Sequence, residues 1–190
     1  MCLRIKSVGF TVILPLVPNL PPVYPDGSYT CGPRRFDMSV LQSLFESHAR
    51  NVAKVNKWYS KGDALPTLKA WIRAEQLVRL DVLLMKHRKE YATDWEPLLG
   101  ANAVTHLMFL RTGWTPELIS HLSFDDILLV LQQDLAGVKI PEGEIQVPQY
   151  VAAELQQLKL LPYQIEWPPH SKGEWDPSLC ETALGLRRPA

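Results

Sequence analysis

Residues 112–135 read TGWTPELISHLSFDDILLVLQQDL. Three helix-boundary signals follow one another in this stretch. Gly113 suits a left-handed stop after Thr112, because a residue without Cβ meets no clash at positive φ. Thr115 before Pro116 reads as an N-cap followed by a residue whose ring presets helical φ and which lacks a donor the first turn could not use. Ser123 repeats the cap, with Asp125 and Asp126 where the positive end of the helix dipole favours carboxylates. Short helices are expected from Asn102 to Thr112, from Pro116 to about Leu122, and from Ser123 to about Leu135 with a stop at Gly137.

Upstream, Leu41, Phe45, His48, Val52, Val55 and Tyr59 recur every three or four residues and make one apolar stripe for a helix from Ser39 to Tyr59. Ser39 with Gln42 has a capping-box pattern, and Lys54, Lys57 and Lys61 precede Gly62 at the other end. A second helix should follow Leu65-Pro66 and run to about Tyr91. Its apolar residues fall on more than one side, which marks a central helix covered by neighbours. Downstream, residues 138–148 suit a small hairpin or loop, and Pro148 opens a last helix through Leu161. The chain therefore reads as mainly α: one bundle-like domain of five to six helices with irregular, proline-rich N- and C-terminal segments.

Proline placement sets the expected boundaries. Of sixteen prolines, six precede residue 34 and five follow residue 161. A residue without an N–H cannot serve the interior of a helix or a strand ladder. Residues 1–37 are expected as an extended arm, 38–161 as the helical domain, and 162–190 as an irregular tail containing Trp167 and Trp175. Arg4 and Lys6 ahead of Val8–Val17 have the order of a secretory leader, but Pro15 and Pro18 interrupt the run and no small-residue cleavage site follows. The three cysteines, Cys2, Cys31 and Cys180, form no CxxC and no even framework. A reducing, cytoplasmic setting is the expectation, and no membrane span is foreseen.

Formal charge is zero and the isoelectric point is near 7, so no global field draws the protein to nucleic acid or lipid. Locally, residues 34–90 hold twelve Lys/Arg against six Asp/Glu, and residues 102–146 hold two against six. Either the basic part meets an outside partner or the two faces pair within the molecule. The partner-binding candidates are Lys54, Lys57, Arg73, Arg79, Arg88 and Lys89, with Trp167 and Trp175 as aromatic anchors. The two tail tryptophans equally suit packing back onto the body. Trp95 and Trp114, each just ahead of a proline-containing helix start, suit hydrophobic staples.

Catalytic patterns are lacking. The sequence has no HExxH, GxSxG, GxGxxG or P-loop. No cofactor, metal or catalytic residue is assigned. His106, His121 and Asp125, with Asp126, are the one set that helix order brings near each other, and they define an alternative reading as an enzyme with a discontinuous site. His87, in the run Lys86-His87-Arg88-Lys89, is expected to be solvated. A helix–turn–helix reader over Ser123–Leu135 would carry Asp125, Asp126 and Asp134 and no cation, which repels phosphate.

The short capped helices of Thr112–Leu135 are similar to those of small accessory proteins from bacterial phages and other mobile elements. No functional residue follows from that resemblance. The function expected is a non-enzymatic bacterial protein–protein interaction or adaptor module, an accessory, chaperone or regulatory protein whose partner is another protein. Self-association through the stripe of the first helix belongs to the same expectation. A weak nucleic-acid-binding regulator using the basic 50–89 region is the alternative.

Overall fold

The computed structural model describes residues 38–58, 64–158 and 165–186. The expected arm over 1–37 lies outside the described residues, as do Tyr59, Lys61, Gly62 and Leu161. The described residues are 66% helical and contain no strand, an all-α arrangement. Eight helices occur among them: α1 (Met38–Asn56), α2 (Ala64–Tyr91), α3 (Ala101–Thr112), α4 (Pro116–Ser120), α5 (Phe124–Val130), α6 (Gln132–Ala136), α7 (Gln149–Leu158) and α8 (Pro177–Ala183).

The count exceeds the expected five to six for two reasons. The helix expected to run from Ser123 to Leu135 breaks at Leu131, whose φ of −87° and ψ of 4° leave the helical region and separate α5 from α6. The stretch expected to be irregular holds α8, started by the Asp176 carboxylate, which accepts from the Ser178 N–H at 2.9 Å, with Pro177 in the first turn.

The other boundaries follow local chemistry. Gly113 adopts φ 71° and its N–H donates to the Phe109 carbonyl, closing α3. Thr115 caps α4, and Ser123 with Asp126 forms a reciprocal capping box on α5. α1 already begins at Met38, so Ser39, expected ahead of the helix, lies inside it. Gln42 reaches residue 146, accepting from its N–H at 2.8 Å and donating to its carbonyl at 3.1 Å. At its other end α1 stops at Asn56, with Lys57 in a left-handed conformation (φ 56°). The Trp58 N–H donates to the Ala53 carbonyl and the Lys57 N–H to that of Lys54, which is the two-bond Schellman closure without its usual glycine. Residues 138–148 form a loop, and the Pro148 carbonyl accepts the first bonds of α7.

α2 is the central helix, as its apolar residues on several sides require. Leu68, Leu77, Val78, Leu80 and Leu84 are all buried. One side of α2 packs with Leu98, α3, Ile119, Leu128, Leu131 and Leu135. Another meets α1, through Leu41, Leu44, Phe45 and Ala49, together with Cys180 of α8. Trp71 lies edge-on to Phe45, centroids 5.0 Å apart. Of the stripe of α1, Leu41, Phe45, His48 and Val52 are buried and Val55 is partly buried.

Cys180 of α8 is buried, and burial pushes its thiol pKa up. Because the thiolate is the reactive form, Cys180 should escape alkylation in the native protein and react once urea unfolds it. Peptide mapping by mass spectrometry checks this, and native labelling of Cys180 at the rate of a free thiol would contradict the packing of α8.

Candidate interaction surface and its internal clamps

The described C-terminal residues lie along α1 and α2 and are attached largely by polar contacts. Glu174 is fully buried and accepts from the Arg73 guanidinium at 2.6 and 2.8 Å. The Asn56 amide and the Ser171 N–H donate to the same carboxylate at 2.9 and 2.7 Å. Arg73 also donates to the Pro168 carbonyl and lies between Trp58 and Trp167, at 5.4 and 5.5 Å from the ring centroids. Asp81 accepts from Trp175 Nε1 at 3.0 Å and pairs with the buried His48 at 2.7 Å. Arg88 donates to Glu181 at 3.2 Å and, through Nε, to the Leu98 carbonyl at 2.8 Å. Each of these clusters joins a charged residue of α2 to the 165–186 segment.

That geometry gives the expected partner-binding residues their places. Arg73 and Arg88 are buried in ion pairs within the chain. Arg79 pairs with Glu75 at 2.7 Å and donates to the Val138 carbonyl at 2.9 Å. Trp167 covers Arg73, and Trp175 stacks on Phe124 with an 8° interplanar angle. Lys54, Lys57 and Lys89 remain exposed. The ion pairs that the described part of the basic stretch makes are not with the acidic 102–146 stretch. Arg111–Asp134 joins two residues of that stretch, whereas the buried arginines pair with the C-terminal segment.

No hydrogen bond or ion pair among the described residues joins His106, His121 and Asp125. His106 Nδ1 meets His87 Nε2 at 2.8 Å, His121 is exposed at the end of α4, and Asp125 accepts from the backbone and Nδ1 of His170 at 3.0 and 2.5 Å. Burial pushes the Asp125 carboxyl up, but the hydrogen bonds and charge of His170, with Arg73 beyond, outweigh it and hold it below the usual carboxylate range. Asp125 and His170 also line an open groove of about 740 Å³, together with Ile72, Arg73, Gln76 and Trp167. His170 Nε2 is buried and has no hydrogen-bond partner.

Exposed large apolar residues occur on several elements, Leu129 and Val130 on α5, Tyr150 on α7 and Leu186 after α8 among them. Tyr91 closes α2, Phe109 and Leu110 lie one turn beyond His106 on α3, and Trp114 and Leu118 lead into and lie on α4. Between α2 and α3, Trp95 is 96% exposed. The staple expected of it is absent, because no helix starts at Pro97: the next one, α3, begins at Ala101.

The turn carrying Trp95 is well tied. The Thr93 N–H donates to the Glu96 carbonyl, the Glu96 N–H to Thr93 Oγ1, and Glu96 Oε1 accepts from the Leu98 N–H at 3.2 Å. Leu98 takes a left-handed φ of 52°, a cost of about 1–3 kcal/mol for a side chain of this kind, while its own side chain is buried. Arg88 holds the Leu98 carbonyl, and the Gly100 N–H donates to Glu181.

The sequence reading took Trp95 for a staple residue and missed its exposure, although Asp94, Glu96 and Pro97 around it give the polar, proline-containing setting of a surface turn. Comparison of the chain with family models, with curated proteins and with solved structures gives no match. Among the described residues no helix is long and apolar enough to cross a membrane, and no group of three or more His, Cys, Asp or Glu is placed to hold a metal ion.

Proposed function

We propose that the protein is a non-enzymatic protein–protein interaction module whose partner is bound by the aromatic face around Trp95. The observation that carries this reading is a nearly fully exposed tryptophan on a turn tied at both ends. Leaving an indole in water forgoes about 1.5–3 kcal/mol of burial, and a tied turn loses little freedom when a partner arrives. Tyr91 at the end of α2, and Phe109, Trp114 and Leu118 on or after α3, are further exposed apolar residues. Tryptophan and tyrosine are the residues that most often dominate binding energy at such faces. The nucleic-acid alternative loses support, because Arg73, Arg79 and Arg88 of the basic 50–89 region are held by internal acceptors.

Affinity capture from the native host with wild-type and Trp95→Ala baits tests the reading. The variant should lose the partner, with a weakening of 2 kcal/mol or more, roughly thirtyfold in Kd. Its unfolding free energy should stay within about 0.5 kcal/mol of wild type, as for other exposed positions. A partner held equally by wild type, Trp95→Ala and Trp114→Ala would place binding elsewhere.

A further inference from the structure

We propose that the His87–His106 pair is a proton-operated latch on the turn that carries Trp95, closed when one imidazole donates to the other and released when both are protonated. The inference takes its purpose from the interaction reading, since it names how that same surface is regulated. Its physics stands on the geometry alone.

His87 lies one turn before the end of α2 and His106 in the second turn of α3. The connection between them holds Trp95, so a bond between the two rings closes the base of that turn. Their ring nitrogens are 2.8 Å apart. A contact of that length needs one N–H and one lone pair. With a proton on every ring nitrogen, two N–H groups face each other and two positive charges repel at close range.

The surroundings sharpen the effect. His87 is 5% exposed, so water screens the pair poorly. Tyr91 packs against both rings, at 4.7 and 5.7 Å between centroids. The charged and titratable groups facing His87 are His106 and Arg111 from α3, and Arg88 and Glu90 from its own helix. Burial contributes most and His106 next in pulling the His87 pKa below its ordinary value. Arg88 and Arg111 add to this, and Glu90 opposes it.

The sign follows directly. An unfolded histidine takes up its proton as pH falls past about 6.5, whereas folded His87 resists until lower pH. The stability held in this seam is therefore present above pH about 6.5 and is lost as pH falls through the lowered value. The second clamp on the turn, from Arg88 to Leu98 and Glu181, contains no imidazole. Release should accordingly loosen the turn before the body.

Amide hydrogen exchange of the full chain by NMR, from about pH 7.5 to about pH 5 and corrected for intrinsic rates, tests the latch. The amides of Leu98 and Asn102, which donate within the turn, should lose protection about tenfold relative to that of Val52 in α1. His87→Gln and His106→Gln should each flatten this pH dependence. Ring titration of His87 in the wild-type protein is a second readout that needs no variant to fold, and His87 should take up its proton at lower pH than a free imidazole.

Relative protection that does not change with pH, a fall that persists in both variants, or a His87 ring that protonates as readily as a free imidazole would overturn the latch. No partner is needed for these measurements. A pH-sensitive turn in a protein whose binding ignores Trp95→Ala removes the interaction reading alone. A pH-insensitive turn with Trp95-dependent binding removes the latch alone.

Discussion

Glu174→Ala is expected to lower the unfolding free energy by about 3–5 kcal/mol, the cost of removing one partner of a buried ion pair and stranding the other. Glu174 is fully buried and Arg73 nearly so, and the carboxylate also satisfies Asn56 and the Ser171 N–H. Its loss leaves a guanidinium between two indoles with its main acceptor gone. Against a total stability of about 5–15 kcal/mol this is a large fraction. With a urea slope of about 1–3 kcal/mol per molar, the midpoint should fall by a molar or more. Arg73→Met/Glu174→Leu separates the penalty of an unpaired charge from the worth of the pair. It should recover much of the loss, since apolar replacements of buried pairs are often close to neutral. A single variant within about 1 kcal/mol of wild type would mean that the site admits water.

Removing residues 163–190 should abolish cooperative folding altogether. The deletion withdraws Ile165, Trp175 and Cys180 from the core and takes away the partners of Arg73, Arg88 and, in part, Asp81 at once. Uncompensated buried charges cost several kcal/mol each, and their sum reaches the whole stability of an ordinary domain. Circular dichroism melting and amide dispersion report the outcome. A truncated protein that melts cooperatively within a few degrees of the full chain would show that the segment is an accessory to an independent body.

These two expectations rest on the part of the structure that the sequence reveals least. Gly113, Thr115-Pro116 and Ser123-Asp126 were legible because each acts on backbone groups within four residues of itself. The centrality of α2 was legible for the same reason, as periodicity is local. The run Lys86-His87-Arg88-Lys89 looked uniformly solvated because it is read in one dimension. A turn of 3.6 residues sends His87 and Arg88 inward with Leu84, while Lys86 and Lys89 face water. Asp125 and Asp126 are likewise neighbours with different work, one bound to His170 and the other to the Ser123 cap. Arg73 and Glu174 stand 101 residues apart, and no spacing rule connects them. Trp95 was visible in composition, but its exposure depends on where α3 begins, which Pro97 obscured.

The clasp formed by the C-terminal segment also orders events at the ribosome. The contacts Arg73–Glu174, Asp81–Trp175 and Arg88–Glu181 span 101, 94 and 93 residues, and the later partner is always translated after every helix it secures. While residues 165–186 are still inside the exit tunnel, the emerged α2 carries Arg73 and Arg88 without their carboxylate partners. The nascent helices can gather locally, but the body closes only after release of this stretch. Long-range contacts of this kind slow closure further, and a chaperone that shields α2 in the interval would act on the face that the mature protein hides.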